Sequence, residues 1–94
     1  MDMQLKGKHA FVSGSTAGIG YAIAYALAKE GVNVIINGRT QAAVDKAALT
    51  IQQETGQAVQ GFAGDLSQAH VAEAVFKAYP TVDILINNLG IFEP

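Results

Sequence analysis

SGSTAGIG, residues 13–20, decides how this chain is read. Three of its eight residues are glycine, Gly14, Gly18 and Gly20, and they stand between the apolar run Ala10-Phe11-Val12 and the alanine-rich run Tyr21 to Ala28. Glycine loses more conformational freedom on ordering than any other residue, so such a cluster marks backbone that turns tightly or is approached closely. Upstream, residues 9–13 are short and nearly continuously apolar, the pattern of a strand buried on both faces. Downstream, Ile19, Ile23, Ala26 and Leu27 recur at helical spacing and predict the inner face of a helix over residues 18–30, stopped by Gly31. The glycines therefore occupy a strand-to-helix turn. Free amides and the helix dipole at such a turn attract an anion, and the missing side chains let a phosphate reach the backbone. Ser13, Ser15 and Thr16 add hydroxyls. The competing reading is a turn that only packs a helix closely on a sheet, and three glycines with three hydroxyls favour the phosphate.

The same change of rhythm repeats along the chain. Val32 to Asn37 is β-branched and reads as a second strand, broken by Gly38. Thr40 is placed to cap a helix reaching about residue 55, with Val44, Ala47, Ala48 and Ile51 inward and Gly56 closing it. Residues 58–64 form a weaker strand that ends at Asp65-Leu66. Ser67 is placed to cap a third helix with Val71, Ala74, Val75 and Ala78 inward, and Pro80 ends it. Residues 82–86 are a fourth strand, followed by Asn87-Asn88-Leu89-Gly90. The order β-α-β-α-β-α-β implies an α/β fold with a Rossmann-like, doubly wound parallel sheet, because parallel neighbours need a crossover and the crossover is a helix.

Composition narrows the function. Fifty per cent hydrophobic and 15% charged residues in a chain of 94 describe one small globular unit. There is no cysteine, which removes disulfides, thiolate nucleophiles and Cys-ligated metals; His9 and His70 lie far apart, so no metal site is expected. A net charge of −2 with scattered Lys and Arg offers no basic stripe for nucleic acid or membrane. No run approaches the roughly 20 apolar residues of a membrane span, and a cytoplasmic location is expected.

The spacing Gly14-x-x-x-Gly18-Ile19-Gly20 differs from G-x-G-x-x-G, and no Lys-Ser/Thr pair follows it as in a Walker A loop. Together with Asp65-Leu66 after the third strand and Asn87-Asn88-Leu89-Gly90 after the fourth, it resembles the short-chain dehydrogenase/reductase family, over essentially the whole chain. The resemblance is to the N-terminal, cofactor-binding part of that family's single domain and implies the strand order 3-2-1-4. It implies that Gly14, Ser15, Thr16, Gly18, Ile19 and Gly20 hold a dinucleotide's pyrophosphate. Asp65 would meet the adenine amino group and Leu66 would flank the ring. Asn88 would stabilise the central sheet, and the backbone of Asn88, Leu89 and Gly90 would pass the ribose. Leu89 stands where the family usually has alanine, and Ser13 where threonine is usual.

An acidic residue at the end of the second strand would bind a free ribose 2′-hydroxyl and repel a 2′-phosphate. Gly38 occupies that place and Arg39 follows, a side chain suited to clamp a phosphate. Ser15, Asn37 and Thr40 are candidate further donors. NADP is favoured over NAD, although Ala17 stands where NADP-using members often carry a basic residue.

The family's chemistry uses a tyrosine made acidic by a lysine four residues on, with a serine and an asparagine. No Tyr-x-x-x-Lys occurs here, so no catalytic residue is assigned. The expectation is the NADP(H)-binding portion of an oxidoreductase that moves hydride between nicotinamide and a carbonyl or alcohol substrate, inactive as this piece alone. With further helices missing from one sheet face and the edge Ile84-Leu85-Ile86 unpaired, it is expected to self-associate as a homo-oligomer or to belong to a longer chain. The rival readings are a non-catalytic dinucleotide-binding or interaction module, and a remnant that binds no cofactor.

Overall fold

Seven elements follow one another in the computed structural model, which describes residues 5–66 and 68–88: β1 (His9–Val12), α1 (Gly18–Lys29), β2 (Asn33–Gly38), α2 (Gln41–Thr55), β3 (Val59–Ala63), α3 (Ala69–Ala78) and β4 (Ile84–Ile86). The strands form one sheet in the order β3-β2-β1-β4, with every neighbouring pair parallel. Both the alternation and the strand order are as expected.

Register shows why the two middle strands are apolar throughout. Ala10 pairs with Val34 and Ile84, and Val34 with Val59, so this row points to one face; Phe11, Ile35 and Leu85 form the next row and point to the other. On the first face Ala10, Val12, Val34 and Ile36 pack under Ala24 and Ala28 of α1 and Val44, Ala47 and Ile51 of α2. On the second, Phe11 and Ile35 meet Val75 of α3, with Phe62, Leu66, Tyr79 and Val82 around them. The rings of Phe11, Phe62 and Tyr79 stand 6.1–6.3 Å apart in tilted and edge-on pairs, an aromatic cluster that periodicity does not announce. Helices α1 and α2 thus share one face and α3 covers the other.

Helix α1 is turned from its expected orientation. Its buried positions are Gly20, Ala24 and Ala28, whereas Ala26 is exposed and Ile19 is 46% exposed. Ile23 and Leu27 pack only at the margin of the core. The reason is distance: the start of α1 lies so close to the sheet ends that a Cβ on Gly20 would meet the Gly14 carbonyl and the Asn88 side chain. Small residues spaced by four therefore face inward and the larger ones flank them. In α3 the buried residue is Val75, while Ala74 and Ala78 are exposed.

The boundaries follow local chemistry. Gly31 at φ 90° closes α1 with bonds from its own amide to Ala28 O and from Val32 N to Leu27 O, a Schellman stop. Thr40 caps α2 by accepting from Ala43 N at 3.2 Å, and Gly56 ends it at φ 75°. Gly38, expected to break the second strand, is its last residue and pairs with Ala63. It is glycine because the Thr16 and Val44 side chains occupy the space of a Cβ. Gln68 stands at the N-cap of α3 without a side-chain capping bond, and the expected cap, Ser67, lies outside the described residues. His9 and Asp83 join the starts of β1 and β4. The Asp83 carboxylate accepts from His9 N at 2.9 Å, and Asp83 N donates to His9 O at 2.8 Å.

Candidate functional site

The carboxyl ends of all strands in a parallel sheet open on the same edge, and in an open α/β sheet that edge is where ligands bind. Here it gathers the β1–α1 loop, the end of β2 and the end of β3 around an open cleft of about 330 Å³. Gly14, Thr16, Arg39, Asp65 and Leu66, five of the residues singled out from the sequence, line it together.

The loop that forms one wall is held from two sides. Gly14 and Gly18 take φ of 56° and 64°, values that a residue with a side chain adopts only under strain. On the β4 side, Asn88 Nδ2 donates to Gly14 O at 3.0 Å and Asn88 N donates to Ser13 Oγ at 2.7 Å. Ser13 N in turn donates to Ile86 O at 3.0 Å. Asn88 thus ties the end of β4 to the loop, in keeping with a role in stabilising the sheet. Its Oδ1 is buried and has no hydrogen-bond partner among the described residues. On the β2 side, Asn37 Oδ1 accepts from Gly14 N at 3.0 Å, and Asn37 Nδ2 donates to Phe62 O at 3.0 Å and Gly64 O at 3.2 Å.

Two of the three further donors expected, Ser15 and Asn37, are therefore otherwise engaged. Ser15 is fully buried; its hydroxyl donates to Val12 O at 2.7 Å and accepts from Asn37 N at 2.9 Å. Its place is inside the loop, and the hydroxyl shapes the turn. Asn37 is 2% exposed and its side-chain amide is committed to three protein groups. The Thr40 hydroxyl caps α2. A buried asparagine closing an apolar strand must find partners, and that rule is the signal by which the sequence marks Asn37.

Backbone groups remain available beside the Thr16 side chain, which lines the cleft. Helix α1 begins after Ala17, which gives no side-chain capping bond, and its first turn carries no acidic residue. The opening amides of a helix have no acceptor within it, so the start of α1, which follows the cleft-lining Ala17, carries donors and a positive dipole end; Gly18, Ile19 and Gly20 do not themselves line the cleft. Gly18 and Ile19 are exposed there, and Gly20 is buried against the loop. Arg39 is exposed on the cleft wall and makes no ion pair with a helix carboxylate among the described residues. Asp65 and Leu66 form the far wall, half-buried. Leu89 and Gly90 lie outside the described residues. The cleft and its donors fit a phosphate-bearing ligand such as a dinucleotide: an uncapped helix start next to the cleft-lining Ala17 and a cation at one end.

Tyr21 and Tyr25 stack along α1 with centroids 6.4 Å apart, and the Tyr25 hydroxyl donates to Glu54 Oε1 of α2 at 3.0 Å. That hydrogen bond to a carboxylate raises the Tyr25 pKa above its ordinary 10.0, the opposite of what a proton donor near neutrality needs. Among the described residues no group of three or more His, Asp or Glu is placed to hold a metal ion. No helix among them is long and apolar enough to cross a membrane.

Comparison with known proteins agrees with this geometry. An uncharacterized oxidoreductase of Bacillus subtilis, YvaG, is 50% identical over 95 residues, covering 100% of this chain and 36% of its own length. The D-beta-hydroxybutyrate dehydrogenase of Cupriavidus necator is 42% identical over 93 residues, 93% of this chain and 35% of its own length. The crystal structure of L-sorbose reductase from Gluconobacter frateurii, complexed with NADPH and L-sorbose, superposes with a TM-score of 0.91 at 34% identity, over 99% of this chain and 37% of that one. The chain thus spans little more than a third of the length of the relatives it matches. With the short chain dehydrogenase family profile matching residues 8–94, and with the glycine turn, the parallel sheet and the cleft in their places, this chain belongs to that family.

Proposed function

We propose that the chain is the NADP(H)-binding portion of an oxidoreductase whose whole length exchanges hydride between the nicotinamide and a carbonyl or alcohol substrate. The observation that carries this reading is the convergence of Gly14, Thr16, Arg39 and Asp65 on one cleft beside the uncapped start of α1. The cofactor, when bound, supplies the hydride. The residues of this chain would bind and orient it: the amides at the start of α1 would receive the diphosphate, and Arg39 would hold a 2′-phosphate. Asp65 and Leu66 accommodate the adenine. An arginine gains little from a free 2′-hydroxyl, which is why NADP is preferred to NAD.

Catalysis itself is assigned outside these residues, so the chain alone turns over no substrate. Titration with NADPH and NADH, followed by nicotinamide fluorescence or calorimetry, tests the reading. Tighter binding of NADPH is expected. Tighter binding of NADH overturns the cofactor assignment, and binding of neither favours a chain that has lost the cofactor role.

A further inference from the structure

The cleft draws its walls from the ends of β1, β2 and β3, and one buried side chain of β2 bonds to the other two. Asn37 Oδ1 accepts from Gly14 N in the first loop, and Asn37 Nδ2 donates to Phe62 O and Gly64 O where β3 leads into Asp65. Its backbone completes the tie, with Ser15 N donating to Asn37 O at 2.7 Å and Asn37 N donating to Ser15 Oγ at 2.9 Å. We propose that Asn37 is the positioning residue of this cleft: without touching the ligand it fixes the glycine loop relative to the adenine wall, and it withdraws the first loop amides from phosphate binding. The inference rests on the cofactor reading above.

Its chemical content is an allocation of donors. A backbone N–H has one proton, and those of Gly14 and Ser15 are used on Asn37 Oδ1 and O. The diphosphate is left to later amides, those from Gly18 onward among them, which have no acceptor in the first turn of α1. Asparagine is the side chain that performs both parts, because its amide offers an acceptor to one loop and two donors to the other. Aspartate loses the donors and leucine both functions.

The test is an amide-resolved NMR titration of the 94-residue chain with NADPH, together with hydrogen exchange and an Asn37→Ala variant. In the wild-type chain the Gly14 amide is expected to be protected before ligand is added and to shift little on binding, while Gly18, Ile19 and Gly20 shift strongly. In Asn37→Ala, Gly14 exchange should accelerate while the amide of Asn33, bonded to Lys8 O at 2.8 Å at the far end of the sheet, stays protected. NADPH affinity should fall roughly tenfold or more. A solely structural role would lower the melting temperature and leave the affinity of the folded variant unchanged, which overturns the proposal. Should the variant fail to fold, the wild-type titration decides: a Gly14 shift as large as those of Gly18 and Gly20 makes Gly14 a ligand donor and refutes the allocation. Shifts nowhere refute the cofactor reading and this inference with it, a result distinct from shifts that include Gly14.

Discussion

Asn88 and Gly14, 74 residues apart in the chain, are joined by a 3.0 Å hydrogen bond from the asparagine side chain to the glycine carbonyl. The bond ties the end of the edge strand β4 to the glycine loop that follows β1. Asn88→Ala removes it and leaves a partly buried carbonyl without its donor. A loss of about 1–3 kcal/mol of stability is expected, read as a lower midpoint in urea, with weaker dinucleotide binding.

Gly20→Ala introduces a methyl where Asn88 Nδ2 would lie at 2.6 Å and Ser15 Cα at 3.0 Å. Neither neighbour can retreat, one being bonded to Gly14 and the other backbone. Overpacking of about 1–3 kcal/mol is expected in chemical unfolding, although alanine is ordinarily the better helix former by about 1 kcal/mol.

Arg39→Ala should separate the two cofactors. Loss of charge-assisted hydrogen bonds to a 2′-phosphate, about 1.5–3 kcal/mol, lowers NADPH affinity by roughly ten- to a hundredfold and leaves NADH affinity nearly unchanged. Calorimetric titration with both cofactors measures the difference, and equal losses would show that Arg39 serves some other purpose.

The Tyr25–Glu54 bond makes a pH prediction. Its hydrogen bond to the carboxylate raises the phenol's folded pKa above 10.0, so the contribution is complete below pH 10 and disappears as the pH climbs through the raised value. Tyr25→Phe should therefore lie slightly below wild type in melting temperature at neutral pH, and the gap should close in strongly alkaline solution.

Exposed apolar side chains on the second face predict association. Phe76 is 67% exposed and Leu85 56%, beside a hollow floored by Phe11 and Val82. Concentration-dependent oligomers are expected in sedimentation, diminished in Leu85→Lys. A stable monomer at all concentrations would contradict this.

Much of the architecture is legible in the sequence because it rests on local rules. The apolar runs at residues 10–12 and 32–36, the threonine before α2 and the glycines after α1 and α2 each act within a few residues. Gly14, Thr16, Arg39 and Asp65 are legible for the same reason, each standing at the end of a strand. The inner face of α1 is not. Hydropathy favours its isoleucines and leucine, while the short distance from the helix to the sheet ends selects Gly20, Ala24 and Ala28.

By itself the sequence determined the parallel βα alternation and the turn at Gly14 to Gly20, since periodicity and glycine placement act along the chain, and three of its motifs carried the resemblance to a dehydrogenase family. Only the tertiary structure decided that Ser15 and Asn37 face inward and that Asn88 reaches back to Gly14. Those assignments depend on which polar groups, distant in sequence, meet at the buried end of the sheet, where every donor must find an acceptor away from water.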